Sequence, residues 1–180
     1  MSEEKKSVRR PALPKAALKR LLLRGAGAAN KVSRCSDPAA KVAKQQVTSL
    51  LKELGSACLE HLTLLKKKTL TMDFLKHVIK QQKCNGVSSA SLVASQSQKS
   101  KKGKVMRDLS EAGVLRVFKG AYGKDHRIDG EVKKALLALA NNYVVSLGQQ
   151  AGNFAGAVKR QTLKSRDLDA AKRNRDIIAA

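Results

Sequence analysis

The sequence predicts an all-α protein in which one short-long-short helical plan is used twice. Three observations carry this expectation. Apolar residues recur at helical spacing in six runs, ordered short, long, short and then short, long, short. The two halves align without a gap at an offset of 93 residues, from the first helix to the second loop. Between them lies a stretch rich in Ser, Gln and Lys with no sustained periodicity.

Residues 1–12 are polar and basic, and are expected to form a disordered arm. Ala17, Leu18, Leu21 and Leu22 then repeat at helical spacing, and Gly25 and Gly27 are expected to stop that helix. Asp37 is placed as the cap of a helix opening on Pro38. Its apolar stripe (Val42, Val47, Leu50, Leu51, Leu54, Cys58, Leu62, Leu65) lasts about seven turns, roughly 40 Å. A loop through Leu70 and a cap at Thr71 lead to a short helix carrying Phe74, Leu75, Val78 and Ile79. The first unit is thus 13–82, the linker 83–105 and the second unit 106–180. In the second unit Val114, Leu115 and Phe118 mark a short helix ending at Gly120. Val132, Leu136, Leu139, Tyr143, Val144, Leu147, Ala151, Phe154 and Val158 mark the long one, and Leu168 and Ala171 the last. Across the offset Arg34 meets Arg127, Leu54-Gly55 meets Leu147-Gly148, Lys66 meets Lys159, and Thr69-Leu70 meets Thr162-Leu163. Asp73 matches Asp167 after a one-residue slip.

Lysine and arginine number 37 against 14 acids, a net charge of +23 that exceeds what solubility requires and points to a polyanionic partner. With three Phe, two Tyr and no Trp, the chain lacks the aromatic platforms on which single-stranded bases stack, so backbone binding fits better. Cys35, Cys58 and Cys84 lack metal-ligand spacing, and His61, His77 and His126 are not spaced to join them. Glu3 and Glu4 and the absence of long apolar runs argue against a signal peptide or membrane span. Gly25 to Ala29 lacks the Gly-Lys-Ser/Thr ending of a phosphate loop. No nucleophile, base and orienting group assemble, so no enzyme, cofactor, metal or small-molecule substrate is expected.

The helical plan, with Arg20-Leu21-Leu22-Leu23-Arg24-Gly25 and Lys67-Lys68-Thr69-Leu70-Thr71-Met72-Asp73 in the first unit, resembles the histone fold of central-tetramer and archaeal histones. The second unit carries Lys119-Gly120-Ala121-Tyr122, Ala151-Gly152-Asn153, Arg160-Gln161-Thr162-Leu163 and Arg173-Asn174, which resemble the 2A-type histone. Two such folds in tandem resemble the histone doublets of giant DNA viruses, as a miniature 2B-2A-type doublet or a central-tetramer-like pair. Where the 2A-type acidic patch would be, this chain has Asn141, Ser146, Gln149 and Arg175.

The resemblance implies that the two folds pair as an intramolecular handshake dimer, each first loop beside the other unit's second loop. A 23-residue linker reaches roughly 25–30 Å, which permits closure within the chain. The implied partners are double-stranded DNA, wrapped without sequence readout, and other histones or histone doublets. The implied location is a host nucleus or a viral factory and virion if the protein is viral, and otherwise the nucleus and its chromatin. The DNA contacts so assigned are Lys15, Lys19, Arg20, Arg24, Arg34, Lys66, Lys67, Lys68, Thr69, Arg116, Lys119, Arg127, Lys159, Arg160 and Thr162. Helix starts at Pro14, Pro38 and Gly130 would add phosphate contacts. Assembly is assigned to His61, Phe74, Phe154, Asp167 and Arg173. The rival reading is a histone-fold adaptor in a transcription or replication complex, which would not need a charge of +23.

Overall fold

The computed structural model describes residues 13–81, 109–123 and 125–179. The expected arm (1–12) and the linker (83–105), with Cys84, lie outside them. Six helices follow the expected order: α1 (Lys15–Asn30), α2 (Asp37–Leu64), α3 (Met72–Gln81), α4 (Glu111–Tyr122), α5 (Gly130–Ala157) and α6 (Ser165–Ala179). Both long helices have 28 residues. Four two-residue strands supplement the helices: β1 (Arg34–Cys35), β2 (Thr69–Leu70), β3 (Arg127–Ile128) and β4 (Thr162–Leu163).

Neither three-helix unit encloses its own stripe. One buried cluster draws on both, from Leu22, Leu51, Leu54 and Leu75 in the first to Phe118, Leu136, Leu147 and Leu168 in the second. The first helix of each unit lies mainly on the other unit's long helix, α1 on α5 and α4 on α2. That exchange covers a long apolar stripe that a short helix of the same unit leaves open.

Gly25 and Gly27 do not stop α1, which continues to Asn30. Gly25 marks a close approach to α5: a Cβ there would collide with the Val145 carbonyl and lie 2.8 Å from the Gln149 nitrogen. Nor does Gly120 end α4, which runs on to Tyr122 with Gly123 as its cap at φ +88. The α2 cap is Ser36 rather than Asp37, its side chain accepting from Ala39 N at 3.3 Å, so Pro38 sits one residue inside the helix.

Candidate nucleic-acid interface

Two small parallel sheets organise the basic residues. In one, Arg34 pairs with Thr162 and Cys35 with Leu163. In the other, Thr69 pairs with Arg127 and Leu70 with Ile128. Each therefore joins the first loop of one unit to the second loop of the other. Arg34 N donates to Gln161 O at 3.1 Å and Arg127 N to Lys68 O at 2.9 Å. Backbone bonds hold both loops, leaving the two arginine side chains exposed. Because β1 precedes α2 and β2 follows it, the sheets are separated by that helix, roughly 40 Å at 1.5 Å per residue.

Tyr122 supports the β3 loop from beneath. Its hydroxyl donates to Arg127 O at 3.2 Å, and burial pushes its pKa up to about 12, which keeps the donor protonated. Burial likewise pushes the Cys35 thiol up to about 11, so it packs within β1 as a neutral group.

Both second loops leave their long helix through the same turn. Lys66 N donates to Thr63 O and Lys67 N to Leu62 O; Lys159 N donates to Gly156 O and Arg160 N to Ala155 O. This is the Schellman pattern, whose left-handed residue is usually glycine. Here Lys66 and Lys159, each at φ 53, occupy it. Lys31 at φ 51 is the third left-handed non-glycine residue among those described, and it is also a lysine. It directly precedes the Arg34 loop, and the sequence reading did not single it out. Lys66→Gly and Lys159→Gly are each expected to raise stability by about 1 kcal/mol in denaturant melts. The same changes should weaken binding to a polyanion, because each removes an exposed cation.

The remaining assigned cations are not equivalent. Lys66, Lys67, Lys68, Lys159, Lys15, Arg20, Arg116 and Lys119 are exposed, as is Thr69, whereas Arg24 and Thr162 are partly covered. Lys19 bridges to Asp37 at 2.8 Å; the mutual hydrogen bond raises the lysine pKa and lowers that of the aspartate. Arg160 is held rather than free: its two terminal nitrogens donate to Asp167 at 3.0 and 2.6 Å. Lys164 N also donates to Asp167, at 2.9 Å. Arg160 is thereby corrected from an open contact to a brace of its loop.

Burial alone would raise the Asp167 pKa, but the Arg160 and Lys164 hydrogen bonds, with the charges of Arg160 and Arg166, hold it below the ordinary carboxylate value. A depressed folded pKa stabilises the fold above about pH 4 and ceases to do so as pH falls through the folded value. Asp167→Asn is expected to cost about 2 kcal/mol at neutral pH and to flatten stability below about pH 4, as read by denaturation midpoints against pH. The slipped match in the first unit has no counterpart: among the described residues Asp73 makes no ion pair.

Three other assignments change. Asp167 is 3% exposed and Phe74 8%, so neither offers an open assembly surface; the Phe74 ring instead meets His61 edge-on at 6.5 Å. Phe154 and Arg173 are exposed and His61 partly so, and Leu64, Leu65 and Val158 join them as large exposed apolar groups. Asn141 is buried and accepts from Leu109 N at 3.3 Å, so it is a structural position rather than part of a surface patch. The starts of α2 and α5 carry Asp37, and Asp129 with Glu131, which repel a phosphate. Of the three proposed helix starts, only that of α1, after Pro14, has neither an acid nor a side-chain cap.

The sequence reading also missed a basic face on α2. Lys41, Lys44, Gln45, Thr48, Ser49 and Lys52 line an open groove there. Helical spacing of the lysines was the available signal. Of its three lysines only Lys41 has a lysine at the matching position of α5, Lys134; Lys44 and Lys52 match Leu137 and Val145, so the full face belongs to the first unit.

No protein-family profile and no curated protein matches the chain. Solved structures do match its fold. The histone from Methanopyrus kandleri superposes with a TM-score of 0.65 at 22% identity, over 88% of this chain and 92% of that one. A protein from Thermus thermophilus gives 0.61 at 16% identity, over 93% and 99%. The chain therefore has a histone-like fold, and the match extends across both three-helix units.

Proposed function

We propose that this chain is a DNA-packaging histone doublet of the giant-virus type: two histone folds closed on each other in a handshake, binding and wrapping duplex DNA without reading its sequence. One observation carries the reading. Twice, an exposed arginine from one unit's first loop is set beside the lysine-bearing second loop of the other. A guanidinium so placed enters a narrow minor groove while neighbouring amides and lysines hold phosphates. The excess of cations, +23 over the whole chain, supplies the sequence-independent attraction. The protein acts by binding alone, with no catalytic step.

The test is the affinity for random-sequence duplex DNA across a salt series. Log affinity is expected to fall linearly with log salt, at roughly 0.9 per phosphate contacted. Affinity that is absent, or independent of salt, would oppose the reading and leave the adaptor role.

Assembly of several doublets on one DNA would use the exposed ends of the long helices. Phe154→Glu is expected to leave binding by a single doublet intact but abolish larger particles in sedimentation. Since Phe154 is 38% exposed, the change should cost little folding stability.

A further inference from the structure

The two units cover each other with unequal closeness. Where α1 crosses α5 the helices meet at backbone level. A Cβ on Gly148 would collide with the Leu22 carbonyl, one on Gly152 would lie 2.8 Å from both Cα and Cβ of Ala26, and one on Gly156 would lie 2.8 Å from Asn30 Oδ1. Four-residue spacing on both helices places these three contacts on successive turns. At the same end Asn30 Nδ2 donates to Asn153 Oδ1 at 2.8 Å.

The positions of α2 that match these glycines are Gly55, Leu59 and Thr63, only the first of them glycine. Accordingly α4 sits differently on α2. A Cβ on Gly55 would lie 2.9 Å from Phe118 O and 3.3 Å from Tyr122 N, about one turn beyond Leu115, the match of Leu22.

From this asymmetry we infer that the glycine seam is a pairing code, which makes the two units partner each other rather than a second copy of themselves. In the register that α1 takes on α5, two first units would bring α1 onto α2 and place Leu59 and Thr63 where α5 has Gly152 and Gly156; Leu59 would then meet the Ala26 backbone, and Thr63 would have to displace the Asn30 side chain. In that same register two second units would bring α4 onto α5 with Phe118 in the place of Gly25, whose own Cβ would strike the Val145 carbonyl. At Gly25, Gly148 and Gly152 the opposing atoms are backbone, which cannot yield as the Asn30 side chain opposite Gly156 can, so like pairs are disfavoured by steric exclusion. The inference rests on α1 seated against α5 and is independent of what the protein binds. Its consequence is that two chemically different loop pairs are always made together, and in a fixed order.

The test uses a chain carrying a protease site between residues 88 and 98, cut, unfolded in denaturant and refolded. The fragments differ in mass, so native mass spectrometry separates mixed from like pairs. Mixed pairs are expected to exceed each like pair by about tenfold or more, a bias worth about 1.4 kcal/mol. A statistical mixture would overturn the inference. Gly152→Leu, which gives the second unit the first unit's residue, is expected to abolish the excess; an undiminished excess would overturn the role of the seam. Because that variant can fail by unfolding, Gly156→Ala is compared with and without Asn30→Gly. The single change should reduce mixed pairing, and the added Asn30→Gly, which removes the atoms the new methyl meets, should restore it. Failure to restore it would overturn the code.

Discussion

Replacing Arg34 and Arg127 together with alanine is expected to lower affinity for duplex DNA on the order of 100-fold, since each charge-assisted contact contributes about 1.5 kcal/mol or somewhat more. Both side chains are exposed, and both loops are held by backbone bonds to Gln161 and Lys68, so the fold should survive. The dependence of log affinity on log salt should fall by roughly 0.9 for each phosphate no longer engaged. Neutralising Lys5, Lys6, Arg9 and Arg10 should reduce the slope as well, but through bulk charge alone. Only the arginine pair should also blur the nuclease footprint and weaken the preference for narrow, A·T-rich minor grooves facing the protein. Equal effects of the two sets on footprint and base preference would show that the loops contribute charge without position.

Gly25→Ala should be among the most destabilising single changes, although alanine is the better helix former by about 1 kcal/mol. Its methyl would meet the Val145 carbonyl and the Gln149 nitrogen, so α1 and α5 would have to separate. A net loss of about 3 kcal/mol or more is expected, a fall in melting temperature of roughly 6–12 °C. Gly120→Ala provides the contrast. It lies on the exposed surface of α4 with nothing within 4 Å of the added Cβ, and should stabilise by up to about 1 kcal/mol. Thermal melts of the two variants must therefore shift in opposite directions.

These two glycines also mark the boundary of what the sequence makes legible. Helical periodicity located all six helices, because a stripe such as Leu50, Leu51, Leu54 and Cys58 records burial directly. The loops that carry Arg34 and Arg127 were equally readable from their matched positions, whereas their juxtaposition with Thr162 and Thr69 followed only from the resemblance to the histone fold. Glycine is ambiguous in this respect. It accompanies a helix stop, a close crossing or neither: Gly25 lies against α5, Gly27 and Gly120 face no opposing helix, and none of the three is the expected stop. The left-handed lysines escaped for the converse reason: the turn at Lys66 and Lys159 normally advertises itself through glycine, and here charge takes the position. The engagement of Arg160 by Asp167 depends on how α6 folds back after β4, which no spacing rule reports. Asn141 belongs to the same class, since its partner, the Leu109 amide, lies far away in sequence.

Nuclease digestion of purified protein assembled on long duplex DNA tests the central claim most directly, with and without added histones. Protected fragments of uniform length are expected, shortened or blurred by Arg34→Ala with Arg127→Ala and unchanged by Gly120→Ala. A continuous smear with no preferred length under every assembly condition would contradict wrapping, and DNA left wholly unprotected would contradict a packaging role.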